Sequence, residues 1–80
     1  MALHYFMNVY QHTEDASDPI LWRAQRVSAQ SDAEAIREAK LSFRSLVETN
    51  PLVTGFSLRR VGFRRAGDRI IHTQNAASAQ

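Results

Sequence analysis

A single amphipathic helix, predicted from Ser31 to Glu48, most constrains what this chain can fold into. Ser31 and Glu34 have the S-x-x-E spacing of a capping box, and acidic residues fill the first turn, where the helix dipole stabilises them. Asn50 precedes Pro51, and a residue before proline disfavours helical dihedral angles, so the helix should end there. Its main apolar residues fall within about 100° of arc: Ile36, Ala39, Phe43, Leu46 and Val47. Such a stripe requires a sheet to pack on.

Four segments have the alternation and the β-branched or aromatic residues that are typical of strands. They are Leu3–Gln11, Ile20–Ala29, 55–63 and 69–73. The second segment changes phase, which predicts a β-bulge between Arg23 and Arg26. The order ββαββ predicts an α+β two-layer sandwich, with a four-stranded antiparallel sheet and one helix on one face. The strand residues most expected to pack under the helix are Phe56, Leu58 and Ile70.

Length and composition predict one small α+β domain in residues 1–73, followed by a disordered polar tail in residues 74–80. The chain has no cysteine, so disulfides and thiolate metal sites are excluded. No apolar run approaches the roughly 18 residues of a membrane-spanning helix, and the first residues lack the features of a signal peptide. We therefore expect a cytoplasmic protein.

Basic residues are concentrated near the C-terminus. Five cations and seven anions precede Gly55, a net charge of −2, whereas five arginines and one aspartate follow, a net charge of +4. Arginine binds phosphate through planar, forked hydrogen bonds, so a projecting basic hairpin would lie along a nucleic-acid backbone. The same charges would also protect an exposed sheet edge from aggregation. The candidate nucleic-acid or anion-binding residues are Arg59, Arg60, Arg64, Arg65 and Arg69.

A sheet covered by one helix leaves its second face open, and we expect that face to be an interface. The chain should then form a homo-oligomer, most simply a dimer, or bind another protein. Trp22 and Leu41 are the interface candidates. Trp22 would anchor a core or an interface, or stack on a flat ligand if it lies on the open face. Leu41 lies opposite the apolar stripe of the helix, should be exposed, and is the candidate if the protein self-associates through its helix.

Nothing in the sequence supports catalysis, and we expect a non-enzymatic chain without catalytic residues, metal or cofactor. There is no G-x-S-x-G motif and no glycine-rich phosphate loop. The histidines His4, His12 and His72 lack the His-x-His and His-x₃-His spacings of metal sites. The acidic residues of the loop at 14–18 lack the regular carboxylate spacing and central glycine of a calcium loop.

The run V-S-A-Q-S-D-A-E-A-I-R-E-A, from Val27 to Ala39, resembles the strand-to-helix junction of dodecins, which are flavin-storing oligomers, and of Hic-type antitoxins. The first half of the chain, which opens with the Y-F-x-x-V strand Tyr5–Val9, is similar to short uncharacterised bacterial α+β proteins of ββαββ order. This chain departs from dodecins in having an earlier strand and no clear long final strand, and from the antitoxins in having no appended DNA-binding module. The resemblance therefore implies a topology and no binding residue.

Three functions remain open at this point. The first is a binding or interaction module that self-associates through the open face of the sheet. The second is a nucleic-acid binder that uses the arginines of the C-terminal hairpin, and its affinity should fall steeply with salt. The third is a carrier of a small aromatic ligand, which would quench the fluorescence of Trp22.

Overall fold

A computed structural model of the chain describes residues 3–15, 18–62 and 69–75. The strands form one antiparallel sheet in the order β2-β1-β3-β4, and the helix packs on one face against β1, β2 and β3. This confirms the predicted two-layer α+β sandwich of ββαββ order. In the described part of the chain, no helix has the length and apolar character that a membrane crossing needs. The elements are β1 Leu3–Gln11, β2 Ile20–Ala29, α1 Asp32–Thr49, β3 Val53–Arg60 and β4 Arg69–Asn75.

Helix α1 begins and ends within one residue of its predicted limits. Ser31 is the N-cap, and its Oγ accepts a hydrogen bond from the backbone N–H of Glu34 at 3.2 Å. Asn50 is the C-cap, and its backbone N–H donates to the carbonyl oxygen of Leu46 at 2.8 Å. The Asn50 side chain also donates from Nδ2 to Oε1 of Gln11 at 2.9 Å. The C-terminal end of α1 is thereby held to the end of β1.

The core lies between α1 and the face of the sheet that carries alternate residues of β1. Phe43 of the helix packs on Phe56 of β3, with ring centroids 4.8 Å apart. Of the residues predicted for this core, Ile36 and Val47 are partly buried at its margin, and Ala35 is an additional buried helix residue. The other buried residues of the core are Tyr5, Met7, Val9, Ala29, Ala39, Leu46, Val53 and Leu58.

The prediction that Ile70 belongs to the core is wrong, because its side chain is 62% exposed. Leu58 pairs with His72 in the β3–β4 ladder, whereas Arg59 pairs with Ile70, so Ile71 is an extra residue in β4. The extra residue reverses the side on which Ile70 lies, and Ile71 packs against the core instead. Strand β4 also continues two residues into the segment predicted as tail, and residues 76–80 lie outside the described part.

The phase change predicted within β2 occurs slightly earlier than the sequence indicates. Arg23 pairs with Val9 and Leu21 pairs with Tyr10, which leaves Trp22 as the extra residue of a bulge. A bulge re-aims the strand locally, and here it places Trp22 in contact with the core as a partly buried side chain.

Gly55 of β3 lies where β4 approaches too closely for a side chain. A Cβ atom at this position would lie 2.4 Å from the backbone oxygen of Gln74 and 3.2 Å from Cα of Asn75. Both of these atoms belong to the backbone of β4, so the strand itself would have to move to make room.

We expect Gly55→Ala to lower the free energy of unfolding by about 1–3 kcal/mol, because overpacking of this size displaces backbone. Urea denaturation of the wild type and the variant measures the effect. Ser57→Ala is the control, because it changes a side chain on the same strand and adds no atom. A Gly55→Ala variant as stable as the wild type would contradict the close pairing of β3 with β4.

Candidate functional site

The sheet face turned away from α1 is covered by no described element, and we call it the open sheet face. It carries His4, Phe6, Asn8 and Tyr10 of β1, together with the residues paired to them on β2 and β3. The opposite alternation of β1 supplies the core, so the two sides of this strand have separate roles.

Phe6, on the open sheet face, has an arginine on each side. Arg26 of β2 and Arg59 of β3 both pair with Phe6. Their guanidinium carbons lie 5.8 Å and 5.6 Å from the centroid of the phenyl ring. These distances are within the range of cation–π attraction, which holds the two cations beside the ring. We call these three residues the Phe6–arginine cluster. A depression of about 240 Å³ adjoins it, lined by His4, Tyr5, Phe6, Arg26 and Val61.

The charged residues of the strands are all basic, whereas α1 carries both signs, with Arg37, Lys40 and Arg44 beside its carboxylates. The four strands carry five arginines and no carboxylate. The acidic residues of the described part lie in the β1–β2 connection and in α1. They are Glu14, Asp15, Asp18, Asp32, Glu34, Glu38 and Glu48. Of the five strand arginines, Arg26 and Arg59 pair with Phe6 on the open sheet face, so the part of this face around Phe6 is positively charged and favours anionic ligands.

A second depression, of about 310 Å³, lies toward the other end of the open sheet face. The Tyr10 hydroxyl and Ser57 Oγ lie 3.4 Å apart at its wall. Gly55 pairs with both Tyr10 and Asn75, and Ser57 pairs with Thr73. We call this depression, defined by these five residues, the Tyr10–Ser57 groove. Its side chains are neutral, in contrast to those of the Phe6–arginine cluster.

The arginines that were predicted to form one basic hairpin lie on different sides of the sheet where the structure describes them. Arg59 belongs to the open sheet face, whereas Arg60 Nη1 lies 3.6 Å from Oδ1 of Asp32 on the helix side. Arg69 pairs with Arg60 and is exposed. The remaining two candidates, Arg64 and Arg65, lie outside the described residues. Sequence reasoning missed the partnership of Arg59 with Arg26, which depends on β1 lying between β2 and β3.

The two interface candidates lie away from the open sheet face. Trp22 packs against the core, and the guanidinium carbon of Arg23 lies 4.9 Å from the centroid of its ring system. Stacking on a flat ligand requires Trp22 on the open face, and its contacts are with the core. Leu41 is 53% exposed on α1, as the helical pattern predicts.

A buried tyrosine joins the sheet to the first turn of α1. The Tyr5 hydroxyl donates a hydrogen bond to Oδ1 of Asp32 at 2.6 Å, and Arg60 approaches the same oxygen. Burial, followed by the hydrogen bond to Asp32 and the charge of that carboxylate, raises the pKa of Tyr5 to about 12. The Tyr5 side chain is only 1% exposed, so this phenol has no access to a substrate and holds the helix to the sheet.

In residues 3–15, 18–62 and 69–75, no group of three or more histidine, cysteine or acidic side chains is placed to hold a metal ion. Comparisons with protein-family models, with curated proteins and with solved structures give no significant match to this chain. The resemblance to short bacterial ββαββ proteins therefore stays a hypothesis, and the function must be argued from the chain's own geometry.

The raised pKa of Tyr5 predicts a loss of stability at high pH. Since the pKa is 10.0 without the fold and about 12 within it, the neutral phenol stabilises the fold below pH 10. That contribution is lost as the pH rises through 10 to 12. Below pH 10, the free energies of unfolding of the wild type and Tyr5→Phe should differ by a constant amount. Between pH 10 and 12, the free energy of unfolding of the wild type should decrease relative to that of the variant. A difference that does not change between pH 8 and pH 12 would contradict the assignment.

Proposed function

We propose that this chain is a non-enzymatic binding module whose open sheet face binds single-stranded nucleic acid. The observation that carries the proposal is the Phe6–arginine cluster, in which a ring lies between two guanidinium groups. The cluster lies on a sheet whose described strands carry no carboxylate.

The cluster contains groups that bind the two repeating parts of a single-stranded nucleic acid, the phosphates and the unpaired bases. Guanidinium groups bind phosphate oxygens through paired, charge-assisted hydrogen bonds. Aromatic side chains and guanidinium planes on a sheet surface provide stacking platforms for unpaired bases. Phe6 and Tyr10 lie on the same side of β1 and are both partly exposed. The face thus presents cations and rings together.

Double-stranded DNA fits this face less well. Sequence-specific readers of duplex DNA insert a helix or a narrow β-ribbon into a groove. Helix α1 has its apolar side occupied by the sheet, and its acidic and basic residues nearly balance, so it offers no basic surface for a duplex backbone. A broad four-stranded sheet surface favours unpaired bases over an intact groove.

The proposal predicts that Arg26→Ala/Arg59→Ala weakens the binding of a fluorescently labelled single-stranded oligonucleotide. Each phosphate contact to a single strand contributes about 0.7 to the slope of log affinity against log salt. Removing two contacts should therefore reduce the slope by about 1.4 and weaken binding on the order of 10–100-fold at about 50 mM salt. Fluorescence anisotropy over a salt series measures both quantities.

The control is Arg37→Ala/Arg44→Ala, which removes the same charge from exposed positions of α1. Thermal unfolding of both double variants verifies that each remains folded. The helix variant should keep the wild-type slope. Absence of binding by the wild type at low salt, or an equal loss in both variants, would contradict the proposal.

A second use of the same face, self-association as a homodimer, is favoured by the separation of charge along the sheet. The acidic β1–β2 connection follows the Gln11 end of β1, whereas the Phe6–arginine cluster lies toward the Leu3 end. Two copies packed face to face in opposite directions would bring each acidic connection toward the arginines of the other copy. This contact would also cover Leu21, which pairs with Tyr10 and is 55% exposed.

A dimer of this kind should be sensitive to salt, because opposite charges hold the two copies in register. Light scattering during size exclusion should give twice the 9.1 kDa of one chain at low salt and a lower mass at high salt. Arg26→Glu should dissociate the dimer, and adding Asp18→Arg should restore it. A mass of 9.1 kDa at both salt concentrations would rule out self-association and leave the face free.

A further inference from the structure

We infer that the Tyr10–Ser57 groove is a pocket for one nucleobase of the strand whose phosphates the Phe6–arginine cluster holds. The inference rests on the proposed function, because it names the part of the nucleic acid that enters this groove. Its volume of about 310 Å³ lies at the lower end of the range of small-ligand pockets.

The groove is bordered by the aromatic ring of Tyr10 on β1 and by the paired strands β3 and β4. Tyr10 supplies an aromatic ring, and Gly55, its partner on β3, supplies no side chain. On the side where a Cβ atom of Gly55 would point, the backbone of Gln74 and Asn75 and the Asn75 side chain close in, so they form the border of the groove there. The volume of about 310 Å³ gives a planar ring room to lie against Tyr10.

The polar groups of the groove suit a base better than a phosphate. They are the hydroxyls of Tyr10, Ser57 and Thr73 and the amide of Asn75, all of them neutral. Ser57 is only 9% exposed, and its hydroxyl is held near that of Tyr10 at 3.4 Å. Neutral hydroxyl and amide groups pair with the hydrogen-bonding edge of a base, whereas a phosphate is better served by the arginines at the other end of the face.

The distance between the Phe6–arginine cluster and the Tyr10–Ser57 groove allows one nucleic-acid strand to occupy both. Phe6 and Tyr10 are four residues apart on one side of β1, a separation of about 13 Å at the rise of an extended strand. A single strand that runs along β1 would place a phosphate between Arg26 and Arg59 and a nearby base in the groove.

The test compares two oligonucleotides of equal length and charge, one with bases and one that is abasic throughout. The wild type should bind the abasic strand about 10-fold more weakly, since stacking of a single base has an effect of this order. Tyr10→Ala should lose most of this difference, whereas its affinity for the abasic strand should stay within about twofold of the wild type. Tyr10→Phe keeps the ring and should still bind the base-bearing strand more tightly than the abasic one. Because it lacks the hydroxyl, it should discriminate less among oligonucleotides made of each of the four bases.

Amide chemical shifts of the unmodified chain provide a second readout that does not depend on a variant folding. The base-bearing strand should shift the amides of Gly55, Ser57, Thr73 and Asn75, whereas the abasic strand should shift mainly those around Phe6. Equal affinity for both strands, with a normal salt slope, would overturn the base pocket and leave the proposed function intact. No binding of either strand would overturn both.

Discussion

The packing of a single helix on a four-stranded sheet is the constraint from which the other features follow. Helix α1 has 18 residues and a diameter of about 10 Å, whereas neighbouring strands are spaced about 4.8 Å apart. The helix is therefore about two strand spacings wide and covers part of one face, with its main contacts to β1, β2 and β3. Strand β4 extends the sheet beyond these contacts, and its extra residue Ile71 turns Ile70 to the open sheet face, where it is exposed. The opposite face is the open sheet face, and its side chains do not belong to the core.

The arginines of the sheet are stabilised in two different ways. Arg60 approaches the carboxylate of Asp32, which also accepts the hydrogen bond from Tyr5, so its charge is balanced within the fold. Arg26 and Arg59 lie beside the ring of Phe6. A ring attracts a cation without neutralising its charge, whereas the carboxylate of Asp32 balances that of Arg60. The difference explains why neighbouring residues of β3, Arg59 and Arg60, have separate roles.

Local signals in the sequence predict most of the fold, and non-local pairing determines most of the candidate site. Caps and alternation are properties of neighbouring residues, and they predict β1, β2 and both ends of α1 closely. Bulges depend on the partner strand, which is why Trp22 and Ile71 take places that alternation alone does not predict. From the sequence, the C-terminal arginines are predicted to act together because they lie in one hairpin. In the structure, β1 lies between β2 and β3, so Arg59 and Arg26 lie on either side of Phe6.

The cluster also explains how an aromatic residue is tolerated on an uncovered face. Phe6 is partly buried, because the aliphatic stems of long side chains shield apolar surface while their charged ends stay in water. A bound phosphate would draw the same guanidinium groups away from the ring. The affinity for a single-stranded nucleic acid then depends on the difference between the contacts that the arginines make with the ring of Phe6 and those that they make with the bound strand. The phosphates of a bound nucleic-acid strand contribute an ionic part to that difference, and this part is the reason that the affinity should depend on salt.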